Sequence, residues 1–370
     1  MFKFVATGDT HFGLNLWGTD DPVTGVNTRA LDAWQAFDQI IDYSIKNKIS
    51  LITHSGDVYN HKSVSQVVVN EFFKRTKRIS DAGIDFVILS GNHDKSRLSQ
   101  AKCSLDLLST LETPNVYRTD GSELIDLNYV QVATLGYYLS NEEIKEELER
   151  FNKQIDWSRP AILIGHLQVE TPQFANASFK EDLNLTPLSL LTEYPYQFIS
   201  LGHLHKPVTL CEKPKTMYNG SLVRCSFSEE KDRKGFNVIT LDGPNLIDVH
   251  RQSVDCLQML TLRGTMAQVR ESLDGVDQAI FANTIVRCII EEDDELVDEK
   301  YLKDKLCYAF KAVISKEAKK TQQIRMERGA NMTSMNDALR VYFKDDEEAD
   351  ALMLLVKELR EQDSQKVLER

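Results

Sequence analysis

The chain has 370 residues, of which 42% are hydrophobic and 27% are charged. These values are typical of globular proteins, and the length is sufficient for two or three domains with a sizeable core. The formal net charge of −12 argues against a protein that binds nucleic acid through bulk positive charge, although divalent cations held at a site would reverse the local sign.

Apolar segments and helical patterns alternate in the first part of the chain. Phe2–Thr7 is an apolar strand, and Thr28–Lys48 has helical periodicity. The strand Ile49–Thr53, a helix over Ser65–Ala82 and the strand Ile84–Leu89 follow. This order predicts a layered α/β domain with helices on both faces of a sheet.

The pattern changes after about residue 115. Glu123–Leu127 and Val130–Leu135 predict a hairpin, because they flank the turn residues Asn128 and Tyr129. Further strands are predicted at Ala161–Ile164, Gln197–Leu201, Phe236–Leu241 and Leu246–His250. The domain is therefore expected to end as a mixed, partly antiparallel sheet.

A second domain is expected beyond a break near Ser253–Asp255. Its predicted elements are the strand Leu257–Leu262, the helix Met266–Leu273, the strand Thr284–Glu291, the helix Asp298–Ile314 and the strand Gln322–Arg325. We therefore predict an α/β fold with mixed sheets flanked by helices over residues 1–253, a small α+β capping domain over 254–332 and a helical tail over 333–370.

Five short polar patches follow predicted strands. They are Asp9-Thr10-His11, Gly56-Asp57, Gly91-Asn92-His93-Asp94, Gly165-His166 and Gly202-His203-Leu204-His205. Residues two apart in an extended chain share a face, so the two side chains of Asp9 and His11 point the same way, as do those of His203 and His205. The glycines are expected to permit tight turns where the backbone approaches a bound group.

The donor types in these patches predict a binuclear metal site. Carboxylate, carboxamide and imidazole ligands suit Mn²⁺, Mg²⁺ or Fe²⁺, and the lack of thiolates in the patches argues against structural zinc. Two dications about 3.5–4 Å apart promote phosphoryl transfer, and Asp57 is the candidate bridging carboxylate. His93 adjoins Asn92 and is a candidate proton or hydrogen-bond donor. Asp94 either orients His93 or caps the next helix.

The remaining cysteines and histidines are interpreted as structural. The six cysteines are scattered, which is typical of small buried apolar residues in a reducing compartment. His54 and His250 lie in predicted strands. Met1–Val5 leads directly into a strand and no apolar run reaches about 18 residues, so we expect a cytoplasmic protein with no signal peptide and no membrane contact.

The five patches resemble those of the calcineurin-like metallophosphoesterase superfamily. A further block, comprising Tyr218-Asn219-Gly220-Ser221-Leu222-Val223-Arg224, Phe227-Ser228-Glu229-Glu230 and Lys234-Gly235-Phe236, resembles the Y-x-G-S-x-x-R…F-x-E…K-G-F block of SbcD-type DNA-repair nucleases. The resemblance covers residues 1 to about 240 well, the small domain only by size and position, and the tail only by its helical character.

The resemblance implies a metal centre and a catalytic histidine. One metal would be bound by Asp9, His11, Asp57 and His205, and the other by Asp57, Asn92, His166 and His203. His93 resembles the family's catalytic histidine, and Mn²⁺ is the expected metal, with Mg²⁺ as a second candidate. The chain departs from the family after the second strand, where Asn60 replaces a second catalytic histidine and His61 stands one position late.

The resemblance also implies a substrate and partners. Such nucleases degrade duplex ends in the 3′ to 5′ direction and cut single strands or hairpins, as homodimers bound to an SbcC-like coiled-coil ATPase of the ABC class. A homodimer contact is expected near Ser65–Ala82 and Leu98–Leu111. The tail over residues 333–370 is expected to bind the ATPase, and packing against the small domain is the alternative.

Three functions remain open. The chain is a metal-dependent DNA nuclease subunit, a phosphodiesterase or phosphatase for small substrates, or a non-catalytic scaffold for DNA ends. The block from Tyr218 to Phe236, the small DNA-binding or capping domain and the tail favour the nuclease. Basic residues that could contact phosphates are spread over loops, and most of them are expected to be ordinary surface charges: Lys62, Lys95, Arg97, Arg224, Lys231, Arg233 and Lys234.

Overall fold

Two six-stranded β-sheets form the main body of the fold. The computed structural model describes residues 1–95, 103–110, 113–170, 185–291, 297–306, 309 and 311–316. The strands of the first sheet are β1 (Phe2–Thr7), β2 (Leu51–His54), β3 (Asp85–Leu89), β4 (Val116–Thr119), β11 (Gly235–Asp242) and β12 (Asn245–Ser253). Their order is β12-β11-β1-β2-β3-β4, with β1 to β4 parallel and β11 antiparallel to both neighbours.

The second sheet has the same mixed character. Its strands are β5 (Leu124–Asp126), β6 (Gln131–Leu135), β7 (Ala161–His166), β8 (Phe198–Gly202), β9 (Val208–Glu212) and β10 (Lys215–Tyr218). They are ordered β5-β6-β7-β8-β10-β9, with β6, β7, β8 and β10 parallel and an antiparallel strand at each edge. The predicted hairpin is therefore present as β5 and β6.

Helices cover the outer face of each sheet. α1 (Thr28–Lys46) and α2 (Gln66–Asp81) share one apolar core with the first sheet. The short helix α3 (Asp106–Thr110) adjoins β4. α4 (Asn141–Gln154) and α5 (Leu188–Leu191) cover the second sheet around a separate core.

A third apolar core lies between the two sheets. In β1, Phe4 and Ala6 belong to this inner core, whereas Val5 contributes to the core beneath α1 and α2. The alternation follows from the two-residue period of a strand. The predicted layered α/β class, with mixed sheets flanked by helices, is confirmed. The expectation of helices on both faces of one sheet is wrong, because the second sheet occupies the inner face.

A small sheet follows residue 257. It consists of β13 (Gln258–Gly264), β14 (Thr284–Ile290) and β15 (Lys311–Lys316), all parallel, and packs with α6 (Met266–Leu273) and α7 (Glu299–Lys305). The predicted helix Asp298–Ile314 is wrong over Lys311–Ile314, where β15 pairs with β14 and β-branched residues favour a strand. The predicted strand Gln322–Arg325 and the tail lie outside the described residues.

The topology brings the polar patches together. β1, β2, β3, β7 and β8 each end at a patch, and the carboxyl ends of parallel strands share one edge of a sheet. Because the sheets lie face to face, these edges form one cleft. The residues Met1–Glu317 form one compact unit, so the boundary at residue 253 stays a prediction. Among the helices of the described ranges, none has the length and apolar character that a membrane crossing requires.

Candidate metal centre

The backbone at the patches adopts an uncommon conformation. Asp9, His11, Asp57 and His203 have positive φ angles of 50°, 46°, 55° and 96°. Residues other than glycine rarely adopt this left-handed backbone conformation, because it costs free energy. It persists only where the surrounding structure enforces it. Here backbone hydrogen bonds hold the loops, from Asp9 N to Gly56 O (2.9 Å) and from His11 N to Asp57 O (3.1 Å).

Three glycines allow the patches to approach each other. A Cβ atom at Gly56 would lie 2.4 Å from Nδ1 of His166, one at Gly91 would lie 2.2 Å from Oδ1 of Asp57, and one at Gly202 would lie 2.1 Å from the Ser55 carbonyl oxygen. The sequence prediction of close approach is therefore met at these three positions. At Gly165 the nearest atom is a methyl carbon of Leu167, so that glycine serves apolar packing instead.

One group of donors surrounds the space between two histidines. Nε2 of His11 and Nε2 of His205 face each other at 2.9 Å. Ligand atoms of Asp9, His11 and Asp57 lie within 4.8 Å of one another. Oδ2 of Asp9 is buried and finds no hydrogen-bond partner among the described residues. We call the set Asp9, His11, Asp57 and His205 site A.

A second group lies beside it. Oδ1 of Asn92 is 2.9 Å from Nε2 of His166 and 3.1 Å from Nδ1 of His203. Oδ2 of Asp57 is 3.4 Å from Nε2 of His166, and the ligand atoms of Asp57, His166 and His203 lie within 4.8 Å of one another. We call the set Asp57, Asn92, His166 and His203 site B. The structure therefore brings all seven sequence-predicted ligands together and places Asp57 in both sites.

Hydrogen bonds behind the histidines select which ring nitrogen faces the cleft. Nδ1 of His166 donates to the carbonyl of Ser55 at 2.8 Å, and Nδ1 of His205 donates to Oε1 of Glu229 at 3.1 Å. In both rings Nε2 is then left for a metal, the arrangement in which a ligand histidine is oriented by an acceptor behind it. Ser55 and Glu229 are positioning residues that the sequence prediction of ligands does not include.

Gln168 performs the same task for His203. The Gln168 amide nitrogen is 2.9 Å from Nε2 of His203 and 3.2 Å from the Tyr137 hydroxyl, whereas Oε1 of Gln168 is buried and finds no partner among the described residues. A half turn of the amide would let Oε1 accept a hydrogen bond from the Nε2–H of His203, and Nδ1 would then be left for a metal. No sequence pattern points to this glutamine.

Burial and mutual charge shift the pKa values of the centre. Burial raises the pKa of Asp9 to about 6 and lowers the pKa of His203 to about 3. Burial alone would lower the pKa of His166, but the charge and hydrogen bond of Asp57 raise it to about 9. The pKa of Asp57 is lowered, since His166 outweighs the effect of burial. Without metal, His166 and Asp57 form a buried ion pair.

His93 stands at the edge of the centre. Its backbone N–H donates to Oδ1 of Asp57 at 2.9 Å, and its ring Nδ1 donates to the carbonyl of Asn60 at 2.8 Å. Asp94 instead accepts backbone N–H bonds from Val58 (3.0 Å), Tyr59 (2.7 Å) and Gly91 (2.8 Å). The expectation that Asp94 orients His93 is therefore wrong; the backbone of Asn60 orients it.

The block after Tyr218 builds a buried network behind His205. Lys234 donates to Oε2 of Glu229 at 2.5 Å and to Oγ of Ser221 at 2.9 Å. Burial would raise the pKa of Glu229, but His205 and Lys234 lower it. Arg224 is also buried, and donates to the carbonyls of Leu257 (3.0 Å) and Asp232 (2.8 Å).

This network corrects two sequence expectations. Arg224 and Lys234 are neither surface charges nor available phosphate contacts, because both are buried within the protein. Lys95 pairs with Asp120 at 3.3 Å, and Arg97 lies outside the described residues. The block is instead a support for site A, since its carboxylate holds the ring of His205.

The cysteines also differ from expectation. Of those that the structure describes, Cys288 is buried, whereas Cys103, Cys211, Cys225 and Cys256 are only half-buried. Ligand atoms of Cys225, His11 and His205 lie within 4.8 Å of one another, so a thiol adjoins site A. His54 is structural, as predicted: it is fully buried and bonds the Thr10 hydroxyl at 3.0 Å.

The residues fit a pair of divalent cations. Oxygen and imidazole donors converge from five loops, a buried carboxylate oxygen of Asp9 lacks a partner in the described structure, and two imidazole Nε2 atoms face each other at 2.9 Å. A cation between such atoms would satisfy all of them. Asp57 belongs to both groups and is suited to join two cations.

The fold and these donors are those of a metal-dependent phosphoesterase. The sequence profile described as calcineurin-like phosphoesterase matches residues 2–207, and the chain belongs to this family of enzymes, which use divalent metals. The recognition made from the five patches is thereby confirmed. The individual ligand roles stay predictions, which the geometry makes specific.

Curated proteins with more specific names are also similar to the chain. The chain is 25% identical over 256 residues to the DNA double-strand break repair protein Mre11 of Haloferax volcanii, covering 69% of this chain and 53% of that protein. It is 24% identical over 264 residues to the SbcD subunit of nuclease SbcCD from Staphylococcus epidermidis, covering 66% of this chain and 68% of that protein. The match thus spans about half of the first relative and two thirds of the second.

A dimetal phosphatase from Danio rerio is among the similar solved structures. It superposes with a TM-score of 0.42 at 10% identity, over 69% of this chain and 99% of that one.

Proposed function

We propose that the chain is the Mn²⁺-dependent nuclease subunit of an SbcCD-like complex that processes DNA ends. The observation that carries the proposal is the convergence of seven donors on two adjoining sites that share Asp57. Binuclear sites of this kind suit in-line displacement at phosphorus. The names of the two relatives, a double-strand break repair protein and a nuclease subunit, support DNA as the substrate.

The residues of the centre would have distinct roles in the reaction. Two dications held by these residues would supply charge neutralisation and an activated water nucleophile. Asp57 joins the two sites, and Ser55, Gln168 and Glu229 hold three ligand histidines in orientation. His93 keeps Nδ1 on the Asn60 carbonyl, so its Nε2 is the atom that would donate to the phosphate or the leaving oxygen.

The choice of DNA over a small phosphoester rests on features beyond the ligands. The Glu229 and Lys234 network belongs to the block that resembles SbcD-type nucleases, and it directly supports His205. The chain also continues beyond the residues of the metal centre into the small sheet of β13, β14 and β15. The small-substrate phosphodiesterase remains the second candidate, because the metal ligands are common to both.

Partners form part of the proposal. A homodimer is proposed through α2 and α3, where Val67 and Leu107 are exposed apolar residues. An SbcC-like ATPase of the ABC class is proposed to bind residues 333–370, which lie outside the described residues. Co-purification of such an ATPase with the full chain, and its loss from a chain that ends at Thr333, would test this contact. The cytoplasmic location stays a prediction.

The central experiment compares the wild type with Asp57→Asn. With Mn²⁺, the wild type should bind two ions and digest an end-labelled duplex from its 3′ ends. Asp57→Asn should weaken both sites by more than the roughly 10–100-fold that loss of an outer-shell partner causes, and should abolish digestion. Asp126→Asn, at an exposed carboxylate paired with Arg159, is the matched control and should behave as wild type.

The outcomes separate the candidate functions. Cleavage of a chromogenic phosphodiester without digestion of DNA would favour the small-substrate enzyme. Binding of DNA ends without either activity would favour the scaffold. One bound ion and a fully active Asp57→Asn would reject the binuclear centre.

A further inference from the structure

Cys225 lies where a fifth donor of site A would lie. Its Sγ atom is within 4.8 Å of the ligand nitrogens of His11 and His205, whose Nε2 atoms are themselves 2.9 Å apart. Donor atoms on one metal ion, with bonds of about 2.0–2.3 Å, are separated by comparable distances. The position is therefore within reach of a metal held by the two histidines.

The backbone of Cys225 is held by the same carboxylate that orients His205. Oε2 of Glu229 accepts the N–H of Cys225 at 3.2 Å, while Oε1 accepts Nδ1 of His205 at 3.1 Å. Lys234, which is buried, anchors Oε2 of Glu229 at 2.5 Å. One carboxylate thus holds both the imidazole of His205 and the backbone from which the Cys225 thiol extends.

We propose that Cys225 is a thiolate ligand of the metal in site A. This rests on the proposed binuclear centre and extends it. As the metal–sulfur bond forms, the thiol releases its proton to solvent and the sulfur donates an electron pair, with no oxidation. Site A then has nitrogen, oxygen and sulfur donors, whereas site B has nitrogen and oxygen alone.

The chemical consequence is a difference in metal preference between the two sites. Thiolate is a soft ligand and favours Zn²⁺, Co²⁺ and Fe²⁺ over Mn²⁺. Site A should therefore retain softer ions, and site B should exchange them for Mn²⁺ more readily. Cys225→Ser replaces the sulfur by a weaker, harder donor of similar size, so it should reduce this preference without removing the other ligands.

Cobalt provides a readout that is independent of activity. The full chain, purified under reducing conditions and freed of metal, is titrated with Co²⁺ and its absorption spectrum recorded. A thiolate ligand produces an intense sulfur-to-cobalt charge-transfer band in the near ultraviolet, in addition to the weak visible bands of Co²⁺. We expect the charge-transfer band in the wild type and its loss in Cys225→Ser, with the visible bands kept.

A matched control and a second measurement secure the result. Cys211→Ser removes another half-buried thiol, whose Sγ donates to the Lys213 carbonyl at 3.3 Å, and should leave the charge-transfer band intact. Competition titration should show that Cys225→Ser weakens Zn²⁺ binding at site A by roughly tenfold or more, a loss of the size that even outer-shell changes cause. Cys225→Ala repeats the test if the serine variant proves unstable.

The outcomes are distinct. Visible cobalt bands with no charge-transfer band, and equal spectra for wild type and Cys225→Ser, would overturn the ligand role of Cys225 while the binuclear centre stands. A charge-transfer band that survives in Cys225→Ser would assign the sulfur to another cysteine and overturn it as well. Failure of the wild type to bind Co²⁺ at all would reject both the inference and the proposed centre.

Discussion

At the scale of single residues, bound protons compensate the buried charges of the metal-free centre. The pKa of Asp9 is raised to about 6 by burial, and the pKa of His166 is raised to about 9 because Asp57 outweighs burial. Both groups must release their protons before they bind a cation. A bound metal therefore replaces protons that hold the metal-free centre together.

This exchange predicts a steep pH dependence of metal binding. Between about pH 6 and 9, His166 carries a proton that metal binding must expel, so the apparent affinity should rise by about tenfold per pH unit for each proton released. His205 holds a proton in the same way, because burial is outweighed by hydrogen bonds to Cys225 and Glu229, which raise its pKa well above the ordinary value. Below about pH 6, Asp9 adds a further proton. Calorimetric titration in buffers of different ionisation enthalpy measures the protons released.

The metal-free protein should show the opposite trend in stability. His166 has a folded-state pKa above its ordinary value of 6.5, so its contribution to stability is complete below pH 6.5 and is lost as the pH rises through about 9. A metal affinity that stays constant between about pH 6 and 9, with no proton release on binding, would contradict the ion pair of His166 and Asp57.

His93 should affect the rate more than the metal content. Its ring bonds the Asn60 carbonyl, and its ligand atom belongs to none of the His, Cys and carboxylate groupings found in the described structure. His93→Ala should keep both ions while the cleavage rate falls by roughly 10²–10⁴-fold, the range for loss of a general acid or donor. Loss of a metal ion from this variant would instead make His93 a ligand. The separate measurement of bound metal and of rate distinguishes the two.

At the scale of elements, α2 presents apolar residues that the described part of the chain leaves exposed. Val67 is 46% exposed and Leu107 on α3 is 42% exposed, and both line a surface groove with Phe73 and Pro114. Of the segment Leu98–Leu111, which the sequence predicts to form a dimer contact, the structure describes 103–110. A second copy would bury both apolar residues in a self-complementary contact.

The dimer can be tested by charge substitution. The double variant Val67→Glu and Leu107→Glu should change the mass measured by light scattering from dimer to monomer at micromolar concentration, because each buried carboxylate would be unpaired. Ile247→Glu, at a residue that is 54% exposed on β12, should stay dimeric. A monomeric wild type would refute the contact.

Elements also differ in how clearly the sequence encodes them. α4 is absent from the predicted elements, although Ser140 and Glu143 form a capping box at its start and Ile144, Leu148 and Phe151 are buried at helical spacing. Its signal is local and could have been used. β15 is different, because the same residues continue a helical pattern and become a strand only through pairing with β14.

At the scale of the molecule, a buried ionic cluster ties the small sheet to the main body. Arg29 is fully buried on α1 and pairs with Asp32, and it also bonds the Arg224 carbonyl. Asp32 accepts the N–H of Leu257 at 2.9 Å, and Arg224 donates to the Leu257 carbonyl at 3.0 Å. The start of the small sheet is thus held by charges that lie behind site A.

Removal of one charge should destabilise this junction. Asp32→Ala leaves the Arg29 guanidinium buried without its carboxylate, and breaking a buried pair costs about 3–5 kcal/mol. Thermal or denaturant unfolding measures the loss. Asp38→Ala, at a partly exposed carboxylate that pairs with Arg75, is the control and should cost about 0–1 kcal/mol. Equal effects of the two substitutions would show that the junction contributes little.

The family, the layered α/β class and the order of the five patches can all be read from the amino-acid sequence. Apolar runs predict strands locally, and seven donors that each follow a strand have few other roles. The sequence therefore suffices to name Asp9 and His205 as candidate ligands. Their convergence requires that the strands be parallel within each sheet and also that the two sheets lie face to face, and the second condition is met only in the tertiary structure.

The surroundings of those donors depend on the tertiary fold. Gln168, Ser55 and Cys225 adjoin the centre through contacts between segments far apart in sequence, and no local pattern encodes such contacts. The same holds for Arg224 and Lys234, whose charge predicts exposure but whose partners, carbonyls and a carboxylate, permit burial. Burial and pairing are properties of the whole fold. The residues that orient and surround the metal ligands therefore cannot be identified from their neighbours in the sequence.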